Sequence, residues 1–200
     1  MDDVVQPLNL HFCFAMIENI KDISNLTGLS RLKGRLFEVK TIHPADLPEY
    51  VEQGWELFKK FNKTVQVKRS KQHSYLLEDR VWNMFYKMGF GQLSAEGGAQ
   101  LIINPKDKLS PKSQIDIVAI DREVAIAIEC KSSADYKKRL QFQEELGKFS
   151  QIKDPFIKSI RNYFSNDGVK KQPVFIMFLS KAILNDNDKE RAKQACLVLI

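Results

Sequence analysis

The chain has 200 residues, 44% of them hydrophobic and 28% charged, which are the proportions of a globular protein long enough to bury a core. It holds no apolar run of the roughly 18 residues that a membrane-crossing helix needs, and Met1-Asp2-Asp3-Val4-Val5 lacks the basic and apolar segments of a secretion signal, so a cytoplasmic protein is expected. The net charge of +6 points to a polyanionic partner, while three widely spaced cysteines, Cys13, Cys130 and Cys196, fit free thiols and lack zinc-site spacing.

Taken in order, Leu8 to Ile17 and Arg35 to Ile42 read as strands, with Gly28 and Gly34 marking turns between them. After His43-Pro44 a helix is expected from about Asp46, with Leu47, Val51, Trp55, Phe58 and Phe61 at helical spacing. Six cations then stand between Lys59 and His73 (Lys59, Lys60, Lys63, Lys68, Arg69 and Lys71) without a carboxylate. This segment reads as a connector, and a boundary within it divides an N-terminal extension, residues 1–73, from a main domain, residues 74–200. Ser74 is placed to cap a helix through Met88 that Gly89 ends, with Leu77, Val81, Met84, Phe85 and Met88 as its apolar stripe. Residues 91 to 100 read as a turn region, Leu101 to Ile103 as a strand, and Asn104 to Ser113, with Pro105 and Pro111, as a loop. Ser132 or Ser133 caps a helix to about Lys153, and Asp154-Pro155 starts another through Phe164. Gln172 to Ser180 is a buried strand, Asn185 to Ala195 a polar helix, and Cys196 to Ile200 a last strand, in which the chain stops as a piece of a longer protein would. Helices alternating with strands from residue 74 onward imply an α/β domain with a mixed central sheet.

The informative stretch is Gln114 to Lys131. Ile115 to Ile120 and Val124 to Ile128 are apolar and β-branched, separated by Asp121-Arg122-Glu123. A two-residue loop at Arg122-Glu123 pairs Asp121 with Val124 and, counted back along the ladder, sets Asp116 opposite Glu129. Side chains alternate along a strand, so Glu129 and Lys131 share a face while Cys130 points to the other. Two carboxylates and an ammonium thus gather at the end of an apolar hairpin, where charge is costly unless it is paired or holds a metal.

Glu78 on a helix, Asp116 on one strand, and Glu129-Cys130-Lys131 on the next, followed by a helix, resembles the PD-(D/E)XK nuclease superfamily over residues 74–200. The resemblance implies a restriction-endonuclease-like fold, with Asp116 as the first acid, Glu129 as the second and Lys131 as the lysine. It also implies that Glu78 is the acid supplied by the helix before the sheet, and that the Cys130 backbone carbonyl joins Glu78, Asp116 and Glu129 around Mg²⁺ or Mn²⁺. Ile115 stands where the superfamily's name has proline. The glutamine that some branches carry in the next helix is Gln141, Gln143 or Gln151.

The chemistry asks for the same residue types independently. A phosphodiester is an anion attacked by water, so charge on the phosphate must be neutralised and a water prepared. Oxygen ligands suit Mg²⁺, which keeps several waters, and Lys131 would position one of them and stabilise developing charge. The implied partner is nucleic acid, with DNA favoured, in restriction, phage defence or repair, and a homodimer or larger assembly suits cutting both strands. Lys68, Arg69, Lys71, Lys137, Lys138 and Arg139 flank the acidic cluster in sequence and are candidates for contacting phosphates. The other readings are a nucleic-acid-binding or assembly module that keeps the fold without cutting, and a metal enzyme outside phosphodiester chemistry. His11, His43 and His73 are scattered, Trp55 and Trp82 suit a core, and Glu96-Gly97-Gly98 reads as a turn able to approach a backbone.

Overall fold

A computed structural model describes residues 15–103, 112–133, 142–165 and 170–200. In chain order the first part contains β1 (Met16–Glu18), β2 (Ile20–Asp22), α1 (Thr27–Lys33), β3 (Phe37–Ile42), α2 (Leu47–Glu52), β4 (Glu56–Lys60), β5 (Val65–Ser70) and α3 (His73–Met88). There follow β6 (Gln92–Ser94), β7 (Ala99–Ile102), β8 (Lys112–Ile115), β9 (Ile117–Ile120), β10 (Val124–Ser132), α4 (Phe142–Tyr163), β11 (Gln172–Ser180), α5 (Asp186–Gln194) and β12 (Val198–Leu199).

The architecture is mixed α/β. Its central sheet has the order β12-β11-β10-β9-β6-β2, with β10, β11 and β12 parallel and the other pairings antiparallel. Central strands covered on both faces need apolar residues without alternation, and β9 is buried at all four positions, as is β10 from Ala125 to Ile128. On one face Phe149, Ile152, Phe156 and Ile160 of α4 pack over Ala125, Ala127 and Met177. On the other, Val81, Trp82 and Phe85 of α3 pack over Ile126, Ile128 and Cys130. Trp82 Nε1 donates to the Ser94 carbonyl at 2.8 Å and the Val118 N–H to Ser94 Oγ at 3.1 Å, fixing α3 to the sheet through a fully buried serine. Gly89, at φ +81°, ends α3.

Two smaller sheets flank this body. β1-β7-β8 joins the α4 core through Ile17, Leu101 and Ile115, whereas β3-β5-β4 has a core of its own from Ile42, Trp55, Val65 and Val67, covered by Leu47 and Tyr50. Among the described residues no helix is long and apolar enough to cross a membrane.

Several expectations are corrected. The boundary at residue 73 does not separate the sheets, because β1 pairs with β7 and β2 with β6 across it. The helix expected to run from Asp46 to Phe61 ends at Glu52: Gly54 adopts φ +81° and the chain turns into β4. The basic connector is β5 with the end of β4, paired in a sheet. Gly28 lies within α1, and the Gly/Ala-rich segment contains β6. Asp154-Pro155 starts no new helix, since α4 passes through Pro155. The buried stripe Phe149, Ile152, Phe156, Ile160 continues across that point, and its packing outweighs the roughly 3 kcal/mol that an interior proline costs. Leu8 to Phe14, His11 and Cys13 lie outside the described residues.

Candidate active site

The hairpin forms as its turn dictates. The Asp121 N–H donates to the Val124 carbonyl at 2.9 Å, closing the loop at Arg122-Glu123, and the pairs Ile120–Ala125 through Ile117–Ile128 follow. One further step sets Asp116 opposite Glu129. Asp116 itself belongs to no strand: it is the single residue between β8 and β9, where the chain leaves one sheet for another. The next ladder position of β10 would pair Cys130 with Ile115, but Ile115 is engaged with Ala99 of β7. The Cys130 N–H donates instead to Asp116 Oδ2 at 2.8 Å, so a carboxylate takes the place of a main-chain acceptor. In an extended strand the N–H and carbonyl of one residue leave on the same edge, so the Cys130 carbonyl faces this side too.

The break at Asp116 is fixed from behind. Gly98, at φ +77°, approaches so closely that a Cβ there would stand 2.5 Å from the Ile115 carbonyl oxygen and 3.0 Å from that of Asp116. The Gly98 carbonyl accepts a 2.6 Å bond from Asn19 Nδ2, which also donates to the Glu96 carbonyl at 2.9 Å. The Glu96-Gly97-Gly98 turn thus approaches backbone, that of the chain itself.

Lys131 lies between two acids. Its Nζ is 3.4 Å from Glu129 Oε2 and 2.7 Å from Glu145 Oε2, and Glu145 also meets Lys148 at 3.1 Å. Asp116, Glu129, Lys131 and Glu145 line a cleft of about 430 Å³ together with Ser113 and Gln114. Gln151 lines it as well, whereas Gln143 accepts a hydrogen bond from Arg191 and Gln141 lies outside the described residues.

Burial raises Glu129 to about 8, with the Asp116 charge adding to the rise and Lys131 opposing it. Burial also raises Asp116, although the Cys130 N–H and Lys131 pull it back. The two carboxyl groups meet in a hydrogen bond that Glu129 donates when protonated. Glu78, half-buried on α3, rises to about 7 through burial and then through the Asp116 charge. Burial works against the Lys131 ammonium, but Glu145 and Glu129 outweigh it and hold Lys131 above its ordinary value. Burial works upward on Glu145 too, yet Lys131 and Lys148 keep it below the usual carboxylate range. Burial, then the charges of Asp116, Glu78 and Glu129, push the Cys130 thiol up, and Cys130 faces the α3 core, so it is an inert packing residue.

Burial is the first cause of the rise in all three carboxyl groups, and the Asp116 charge is the second for Glu78 and Glu129. The donor set is oxygen only, and Mg²⁺ needs no more than one or two carboxylates because it keeps waters, so Asp116 and Glu129 fit such an ion. Glu78 does not complete a cage: among the described residues no three His, Cys, Asp or Glu side chains converge as metal donors. The structure joins Asp116, Glu129 and Lys131 and leaves Glu78 within electrostatic range of Asp116. Glu145 escaped the sequence reading, and its one signal was an acid early in the helix that follows Glu129-Cys130-Lys131.

The proposed phosphate contacts separate. Arg69 forks onto Glu38 at 2.8 and 3.1 Å and lies over Trp55, and Lys71 is tied to Asp79 at 2.6 Å, so both face inward. Lys68 is loosely paired with Glu56 at 3.7 Å. Lys137, Lys138 and Arg139 lie outside the described residues. The His43 ring nitrogen accepts the Ala45 N–H, a helix-capping role.

Fold and site together define a mixed α/β protein with a partly buried acid pair and a lysine at the junction of two sheets. No protein-family model and no curated protein matches the chain. Among solved structures it is similar to protein VC1899 from Vibrio cholerae, at 16% identity over 89% of this chain and 45% of that one, with a TM-score of 0.47. It is also similar to Can2 from Sulfobacillus thermosulfidooxidans, solved in complex with cyclic tetra-adenylate, at 14% identity over 91% and 54% of the two chains, with a TM-score of 0.43. The chain spans about half the length of each, and at such values function has to be argued from the site.

Proposed function

We propose that this chain is a metal-dependent nuclease of the PD-(D/E)XK type that hydrolyses phosphodiester bonds of DNA in restriction, phage defence or repair. The observation that carries the reading is the contact between Asp116 and Glu129, two partly buried carboxyl groups held above their ordinary values beside the ammonium of Lys131. Asp116 and Glu129 would hold Mg²⁺ or Mn²⁺, helped by the Cys130 carbonyl, with Glu78 adding negative charge from α3. When bound, the ion supplies positive charge to the phosphate and lowers the pKa of a coordinated water. The chain's own part is positioning. Lys131, protonated and steered by Glu145, is suited to orient the attacking water and stabilise charge building on the phosphate oxygens, and is unsuited to act as a base.

The test is incubation of the protein with linear, circular and single-stranded DNA in Mg²⁺, Mn²⁺ or EDTA, beside Lys131→Ala. Cutting that requires the metal and is lost in the variant is expected. One observation favours a second reading, a binding or assembly module that does not cut: the described acids form no ready three-donor cluster. DNA binding without cutting under every metal condition would select it.

A further inference from the structure

The small sheet β3-β5-β4 has two unlike faces. Val65 and Val67 of β5, with Ile42 of β3, turn toward α2 and Trp55. Strand partners share a face, so the pairs Phe37–Ser70, Val39–Lys68 and Thr41–Gln66 place their side chains on the opposite one, and Glu56 joins them across from Lys68. This second face is aromatic and cationic. The register of β4 slips between Leu57 and Lys59, a bulge that inserts Phe58, and its ring meets Phe37 with centroids 5.7 Å apart. Lys68 Nζ stands 5.9 and 5.7 Å from the two rings, and Lys59 Nζ 5.0 Å from Phe61. Phe58 in β4 is 48% exposed, and Phe61, just after the strand, is 45% exposed. Lys59, Lys60 and Lys63 are exposed as well.

We infer that this face is a binding platform for a single strand of nucleic acid, with Phe37 and Phe58 stacking on bases and Lys59 and Lys68 meeting phosphates. The combination chooses the occupant. Exposed rings alone would suit an apolar protein surface, but cations beside the rings, against Glu56 as the one carboxylate on this face among the described residues, call for a polyanion that also offers flat apolar faces. An unpaired strand offers both, whereas a duplex hides its base faces. The sheet is also tied to α3, the helix that carries Glu78. The Lys71 N–H bonds the Leu36 carbonyl at 3.1 Å beside Phe37, and its Nζ is tied at 2.6 Å to Asp79, the chain neighbour of Glu78.

The binding inference does not require the nuclease reading. Both are tested separately by fluorescence anisotropy in EDTA, where metal-dependent cutting is silent, using a labelled oligo-dT and a blunt duplex of equal length at low salt. The single strand is expected to bind more tightly. Phe58→Ala should weaken it about tenfold to a hundredfold, as losing a stacked base does, and Phe58→Trp should retain it. Lys68→Gln should weaken it less and flatten the salt dependence. Equal affinity for strand and duplex, or unchanged strand binding in a folded Phe37→Ala/Phe58→Ala variant, would overturn the platform and leave the Lys131→Ala cleavage result untouched.

Discussion

Lys131 contacts Glu145 more closely than Glu129, and the difference assigns Glu145 the task of aiming the ammonium. On the proposed nuclease reading, releasing it would let Lys131 settle on Glu129, away from the water it would orient. Misplacement by about 1 Å is worth up to roughly a hundredfold in rate. Glu145→Gln is therefore expected to lower kcat about tenfold to a hundredfold with KM little changed, and Glu145→Asp to recover part of it; a change confined to KM in steady-state assays would refute the positioning role. Gly98 makes the other residue-scale case. A side chain at φ +77° is strained in itself, and here it would press on the backbone that sets Asp116. Gly98→Ala should cost about 2–4 kcal/mol in urea denaturation, and Gly98→Ser no less. The Asp116–Glu129 pairing was legible in the sequence because a two-residue turn fixes register and strand alternation then fixes faces. Glu145 was not, because its partner is 14 residues away on a different element, and helical periodicity says nothing about which strand a helix end will meet.

At the scale of elements, Asp79 joins three of them: Lys33 from α1 at 2.8 Å and Lys71 after β5 at 2.6 Å both reach it on α3. All three side chains are largely buried, so deleting the acid leaves two uncompensated ammonium groups, whose burial costs more than the pair ever contributed. Asp79→Ala is expected to destabilise by about 3–5 kcal/mol, whereas replacing the triad with apolar residues of similar size should cost far less; equal losses in chemical denaturation would contradict this. The β3-β5-β4 sheet shows why such elements hide from a sequence reading. Leu47, Val51, Trp55, Phe58 and Phe61 satisfy helical spacing, but Gly54 breaks the run and Phe58 falls in β4, with Trp55 just before that strand and Phe61 just after it. Lys59 and Lys60 lie on the edge strand β4, where charge keeps an exposed edge from pairing with another chain, but Lys68 and Arg69 lie on the central strand β5, whose apolar face is only Val65 and Val67. The buried strands β10 and β11 were legible, since continuous apolar runs between polar turns have few other uses.

For the whole molecule, the acid cluster makes stability depend on pH in an unusual direction. Unfolded glutamates lose their protons near the ordinary value of 4.5, whereas the folded chain holds those of Glu78 and Glu129 up to about 7 and 8. Between these limits the folded state binds more protons than the unfolded one, so the contribution of this cluster to stability falls as pH rises and levels off above about 8. Other groups titrate too, and the readable quantity is the difference from Glu129→Gln, which carries no such proton. In EDTA the wild type should lose more melting temperature than Glu129→Gln between about pH 5.5 and pH 8, where most of the Glu129 titration falls. Mg²⁺ or Mn²⁺ should restore it at the higher pH, because the cation then fills the place the proton left, and should do little at the lower one, where the two compete. Parallel pH profiles for wild type and variant would refute the electrostatic account of the site. A metal effect of equal size at both pH values would place the ion elsewhere than between Asp116 and Glu129.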